Sequence, residues 1–110
     1  MKMGIIGLGN MGSAMGHGLL NNNIETFLYD RSQEKREAFK DFEKAKIMDS
    51  EVDVVKNADA VILTIKPYVY DEVLDKIKNE VKNQIIISVT SSYDLKKLEA
   101  KLPGKKLLMA

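Results

Sequence analysis

Short apolar runs alternate with stretches of helical periodicity along the whole chain. Met3-Gly4-Ile5-Ile6 is a brief apolar run that reads as a strand. From Asn10 to about Asn22 the residues Met11, Ala14, Met15, Gly18 and Leu19 recur at i, i+3, i+4, i+7 and i+8. That spacing predicts a helix with one apolar stripe for packing on a sheet. Asn21-Asn22-Asn23 is a polar stop, because Asn tolerates the left-handed conformation found at helix ends. Thr26-Phe27-Leu28-Tyr29 reads as the second strand. A helix is expected from Gln33 to about Phe42, with Ala38, Phe39 and Phe42 on its buried side. Ala45-Lys46-Ile47-Met48 is a short third strand, and Ser50 is placed to cap a helix over Glu51 to Lys56.

The run Ala60-Val61-Ile62-Leu63-Thr64-Ile65 is almost continuously apolar and ends in Lys66-Pro67. Continuous apolarity, without alternation, marks a strand covered on both faces, as in a parallel sheet. Pro67 stops the strand. The helix predicted over Tyr68 to Lys82 buries Tyr70, Val73, Leu74, Ile77 and Val81, with Glu72 and Lys76 as an i, i+4 ion pair. A fifth strand, Gln84 to Val89, ends at the polar turn Thr90-Ser91-Ser92. A helix with Leu95, Leu98 and Leu102 on one face follows, Pro103-Gly104 breaks it, and Lys106 to Ala110 reads as a sixth strand. This alternation predicts an α/β fold: a doubly wound, Rossmann-like parallel sheet between two helical layers. Strand order 3-2-1-4-5-6 would open a crevice at the carboxyl ends of strands one and four.

Composition narrows the partners. A chain of 110 residues is expected to be one domain, residues 1–110, with a single core. A net charge of +1 leaves no electrostatic footprint for nucleic acid or an anionic membrane, and no apolar run reaches the roughly 20 residues of a membrane span. Cysteine is absent, so disulfides, thiolate nucleophiles and Cys-type metal sites are excluded and the expected compartment is the cytoplasm. The single histidine, His17, falls off the apolar stripe and reads as a solvated surface residue. No metal site is expected.

The chemistry begins at Gly7-Leu8-Gly9-Asn10-Met11-Gly12, a G-x-G-x-x-G turn between a strand and a helix. In a dinucleotide site Gly7 allows the sharp turn, Gly9 leaves room for a pyrophosphate, and Gly12 lets helix and strand pack closely. The N–H groups of the first helical turn then face the phosphates. Asp30 closes the second strand at about the distance, roughly 20 residues on, where an acid bonds the ribose 2′-hydroxyl of NAD. Arg31 and Ser32 argue for the 2′-phosphate of NADP instead, and Lys35 is within reach of the same group. The plain alternative is that Asp30 and Arg31 are turn residues and Ser32 a helix cap. The predicted topology brings three turns together: Gly7–Gly12, Thr64–Pro67 and Val89–Ser91.

Two blocks, Ile5 to Met15 and Ala58 to Pro67, resemble the N-terminal domain of pyrroline-5-carboxylate reductases, the enzymes that complete proline biosynthesis. The aliphatic strand ending in Lys66-Pro67 is the more specific of the two. The resemblance spans the chain. It implies NAD(P)H, usually NADPH, as cofactor, with hydride transfer to a cyclic imine giving L-proline. It implies that Ile6, Gly7, Leu8, Gly9, Asn10 and Met11 hold the pyrophosphate and that Arg31 and Ser32 lie at the 2′-phosphate. Thr64, Ile65, Lys66 and Pro67 would lie at the nicotinamide-side ribose, and Val89, Thr90 and Ser91 near the nicotinamide. The family continues into a helical dimerisation domain that supplies most of the substrate pocket. This chain is therefore expected to be a cofactor domain, inactive alone, of a homo-oligomer.

One stretch departs from the family. Where it commonly has Ser-Ile-Ala-Ala-Gly, this chain has the bulkier and more polar Ser88-Val89-Thr90-Ser91-Ser92. No catalytic residue stands out; of Tyr68, Tyr70 and Tyr93, Tyr70 has the spacing of a core residue. Two other readings share the opening motif. One is a β-hydroxyacid or 6-phosphogluconate-type dehydrogenase, against which Lys66-Pro67 argues. The other is a non-catalytic nucleotide-binding or redox-sensing module.

Overall fold

The computed structural model describes residues 1–90 and 92–110. Six strands, β1 (Met3–Ile6), β2 (Thr26–Tyr29), β3 (Ala45–Ile47), β4 (Ala60–Leu63), β5 (Ile85–Ser88) and β6 (Lys106–Met109), form one sheet. Every pairing is parallel and the order is β3-β2-β1-β4-β5-β6, as the alternation predicts. Five helices connect them: α1 (Asn10–Asn21), α2 (Gln33–Glu37), α3 (Glu51–Asn57), α4 (Tyr70–Ile77) and α5 (Leu95–Lys101). This is a Rossmann-like α/β fold.

Two cores lie on opposite faces of the sheet. On one, Ile5, Leu28 and Leu8 pack with Leu20 and Phe39 beneath α1. On the other, Ile6, Val61, Leu63 and Ile86 pack with Val54, Val55, Leu74, Ile77, Leu98 and Leu102 from α3, α4 and α5. β4 is buried at all four positions, which is why its sequence runs apolar without alternation.

Three elements differ from the sequence pattern, each for a physical reason. The contact line of α1 is Gly12, Gly16 and Leu20, with Met15 and Leu19 only half-buried and Met11, Ala14 and Gly18 exposed. Backbone pressed close to the sheet replaces the apolar stripe: a Cβ on Gly16 would lie 3.1 Å from the Phe39 ring. α2 ends at Glu37 and not near Phe42, and Ala38 is exposed. The turn that follows it still buries Phe39, and His17 of α1 stacks on that ring at 4.7 Å and meets Phe42 edge-on at 5.2 Å. The helix expected over Tyr68 to Lys82 is a 3-10 turn, Pro67–Val69, followed by α4. Tyr70, Val73, Leu74, Ile77 and Val81 are all buried there as expected, while Leu95 at the start of α5 is 40% exposed. Caps fall where the side chains allow them: Ser32, Ser50 and Asp94 accept from the backbone N–H of Lys35, Asp53 and Lys96. Asn23 takes the left-handed conformation, φ 61°, that ends the segment after α1.

Two buried tyrosines join α4 to the sheet and to the start of α5. The Tyr70 hydroxyl bonds the Leu63 carbonyl (3.2 Å) and Ser88 Oγ (2.8 Å). Its ring stacks on Tyr93, whose hydroxyl donates to Asp71 Oδ1 at 2.6 Å. Burial, and for Tyr93 also the bond to Asp71, raises both hydroxyls above the ordinary value of 10.0, although the Ser88 bond pulls Tyr70 back somewhat. In the unfolded chain they ionise near that value while the folded chain keeps its protons. The neutral tyrosines therefore favour the fold fully below pH 10, and that contribution drains away as pH rises beyond it. Tyr93→Phe should lower stability at pH 7 by about 1 kcal/mol and flatten the alkaline fall in the urea midpoint. Midpoints measured from pH 7 to 11 on both proteins check this.

Candidate functional site: the cleft at the β1–α1 turn

β1 delivers the chain to Gly7, whose φ of 103° belongs to the region that favours glycine. A Cβ there would lie 2.8 Å from the Thr64 carbonyl oxygen. Gly12 is constrained more tightly: its Cβ would fall 1.9 Å from the Gly7 carbonyl oxygen and 2.6 Å from Thr64 Oγ1. Gly9 is the opposite case, since a Cβ built on it meets nothing within 4 Å. Two glycines of the triplet are demanded by the protein's own packing, while the third faces open space. The α1 N-terminus beside Gly9 has no side-chain cap and no acidic residue in its first turn. Among the described residues, the Ser13 N–H alone closes back, onto the Gly9 carbonyl at 2.8 Å. Unopposed N–H groups and the positive end of the helix dipole thus meet at a place with room for an anion.

Side chains from two neighbouring strands brace this turn. Thr64 Oγ1 donates to the Gly7 carbonyl at 2.5 Å. Asp30 Oδ2 accepts from the Leu8 N–H at 2.7 Å and Oδ1 from the Ser32 N–H at 2.8 Å. Arg36, with its guanidinium 5.5 Å from the Tyr29 ring centroid, donates to the Asp30 carbonyl at 2.5 Å.

The turn opens into a cleft of about 170 Å³ between the ends of β1, β2 and β4. It is lined by Ile6, Gly7, Gly9, Asp30, Arg31, Thr64, Ile65 and Lys66, all named from the sequence motifs, and by Lys35. Leu8 is buried behind the turn, and Asn10 and Met11 are exposed on the first turn of α1. Ser32 caps α2, and Pro67 begins the 3-10 turn, both next to lining residues. Val89 and Thr90 are half-buried just past β5 and do not line this cleft; Ser91 lies outside the described residues. Among the described residues no His, Cys, Asp and Glu cluster suits a metal ion, and no helix is long and apolar enough to cross a membrane.

The structure adds residues that periodicity does not reveal. Tyr29 at the end of β2, Val69 in the 3-10 turn and Val73 on α4 give the cleft an apolar wall. Glu51, 4% exposed, lines it too, with Lys76 Nζ 3.8 Å from its Oε2. Its position after the cap Ser50 marks it as a helix start, but nothing local marks its burial. Arg31 pairs with Glu72 of α4, across the fold.

Residues 2–92 match the family described as NADP oxidoreductase, coenzyme F420-dependent. The chain belongs to this family. Among relatives of this NADP oxidoreductase domain, the pyrroline-5-carboxylate reductase of Aquifex aeolicus is 34% identical over 109 residues, covering 96% of this chain and 39% of that protein. The structure of Plasmodium falciparum pyrroline carboxylate reductase with NADP bound is 29% identical, with a TM-score of 0.83 over 99% of this chain and 41% of that one. A pyrroline-5-carboxylate reductase from Coxiella burnetii, 23% identical, shares the fold at a TM-score of 0.88, covering 97% of this chain and 42% of that one. The chain spans 37–42% of the length of such curated relatives. The resemblance read from the glycine turn and the Lys66-Pro67 turn is thus matched by whole-chain similarity.

The contrast among the glycines is directly testable. Gly12→Ala should abolish folding or cost more than about 4 kcal/mol, because backbone and not a flexible side chain occupies the space. Gly9→Ala should stay within about 0.5 kcal/mol of the parent. Urea unfolding of the two variants checks both.

Proposed function

We propose that this domain holds NADP(H) in the cleft for a reductase acting on a cyclic imine, as in pyrroline-5-carboxylate reductase. The observation that carries the reading is Gly9: a glycine with free space beside it, at an uncapped helix N-terminus without acidic residues. Packing gives no reason for glycine there, whereas a pyrophosphate does. The N–H groups at Asn10 and Met11 would face the phosphates, and Arg31 and Lys35 stand on the side where a ribose 2′-phosphate arrives. The apolar wall of Tyr29, Val69 and Val73 suits the flat face of an adenine. When bound, the cofactor supplies a hydride from its nicotinamide ring; this chain supplies position and electrostatics. The pyrroline-5-carboxylate substrate and the proline-forming direction are supported by the relatives at about 30% identity.

Titrating the protein with NADPH and NADH tests the reading. NADPH should bind more tightly. Gly9→Ala should weaken both by about tenfold or more, equal to roughly 1.4 kcal/mol, while leaving the fold intact. Arg31→Ala should weaken NADPH by a similar factor, as expected for a charge-assisted hydrogen bond of roughly 1.5–3 kcal/mol, and leave NADH unchanged. Equal affinities for the two dinucleotides, with no response to Arg31→Ala, would refute the NADP assignment.

A further inference from the structure

Four charged side chains are linked beside the cleft, and two of them, Arg31 and Glu51, line it. Arg31, just past β2, pairs through Nη2 with Glu72 Oε2 in the first turn of α4. Lys76, one turn further along α4, has its Nζ 3.5 Å from the same oxygen of Glu72 and 3.8 Å from Oε2 of the buried Glu51. Arg31 is therefore not free in this state. The cation best placed for a ribose 2′-phosphate is occupied by a carboxylate of the same chain, and the two side chains are 51% and 54% exposed, so water and salt reach the pair.

We infer that Glu72 is a competing counter-ion for Arg31, a latch that NADP(H) must displace and NADH need not, so that Glu72 sets the preference between the two dinucleotides. The inference rests on the reading of this cleft as a dinucleotide site. A phosphate carries more charge than a carboxylate and can take two parallel N–H bonds where Glu72 takes one from Nη2, so it outcompetes Glu72 for Arg31. Lys76 makes the exchange reversible. When Arg31 turns to the phosphate, the Glu72 carboxylate keeps Lys76 as its cation, and when the dinucleotide leaves, Arg31 returns. The carboxylate of the buried Glu51, 3.8 Å from Lys76 Nζ, adds a second anion on the same side of Lys76. The latch lowers affinity for the 2′-phosphorylated cofactor without altering the glycine turn, which both dinucleotides share.

A double-mutant cycle on the intact 110-residue chain tests this. NADPH and NADH are titrated by nicotinamide fluorescence, at low salt and at 0.5 M salt, against the parent, Glu72→Gln, Arg31→Ala and the double variant. Glu72→Gln should tighten NADPH by roughly two- to fivefold, the range of an exposed ion pair, leave NADH unchanged, and lose its effect in high salt. In the Arg31→Ala background the same substitution should do nothing. Two dinucleotides that bind with an unchanged ratio in Glu72→Gln, or a tightening that survives removal of Arg31, would overturn the latch while leaving the cofactor site intact. Failure of the parent to bind either dinucleotide would overturn the cofactor reading and the latch together.

Discussion

The Gly7 carbonyl oxygen lies where the Cβ of any other residue at position 12 would have to be. That single steric condition fixes how close α1 comes to the end of β1, and the rest of the cleft is built onto it. Thr64 Oγ1 closes on the same carbonyl from β4, and the Asp30 carboxylate reaches the next residue's N–H from β2. The ends of three adjacent strands are thereby held to one turn by contacts of 2.5–2.7 Å. A helix N-terminus fixed this firmly keeps its unpaired N–H groups aimed at one point, and preorganisation of that kind is what lets backbone dipoles bind an anion without a dedicated side chain.

Much of this was legible because it depends on local rules. The alternating elements point to a doubly wound parallel sheet, whose common order is the one observed, and the glycine triplet is visible because a missing side chain is itself the signal. The same feature hid the true contact face of α1. Counting apolar side chains selects Met11, Met15 and Leu19, yet the surface that touches the sheet is Gly12, Gly16 and Leu20, where closeness of backbone replaces bulk. Apolar periodicity runs past the hydrogen-bonded turns: Phe39 and Phe42 are needed by the core but reach it from a turn, not from α2. The charges around the cleft were the least legible. Glu51 is buried by what packs over it, and Arg31 meets Glu72 only because β2 and α4 converge in three dimensions.

Asp30 ends β2, where the sequence pattern expects an acid, and its carboxylate is committed to the backbone. An acid at the end of the second strand is ordinarily read as the partner of a ribose hydroxyl, which would favour NAD over NADP. Here each of its oxygens already accepts a backbone N–H, one from the glycine turn and one from the start of the α2 segment. Those bonds draw the negative charge toward the chain and reduce the repulsion that a nearby phosphate would feel. The carboxylate has lone pairs to spare, so a hydroxyl is still tolerated. On the proposed reading of the cleft, discrimination between the two dinucleotides does not rest on Asp30. On that reading it passes to side chains held only by exposed partners, and among those lining the cleft Arg31 is held by nothing stronger than an exposed carboxylate.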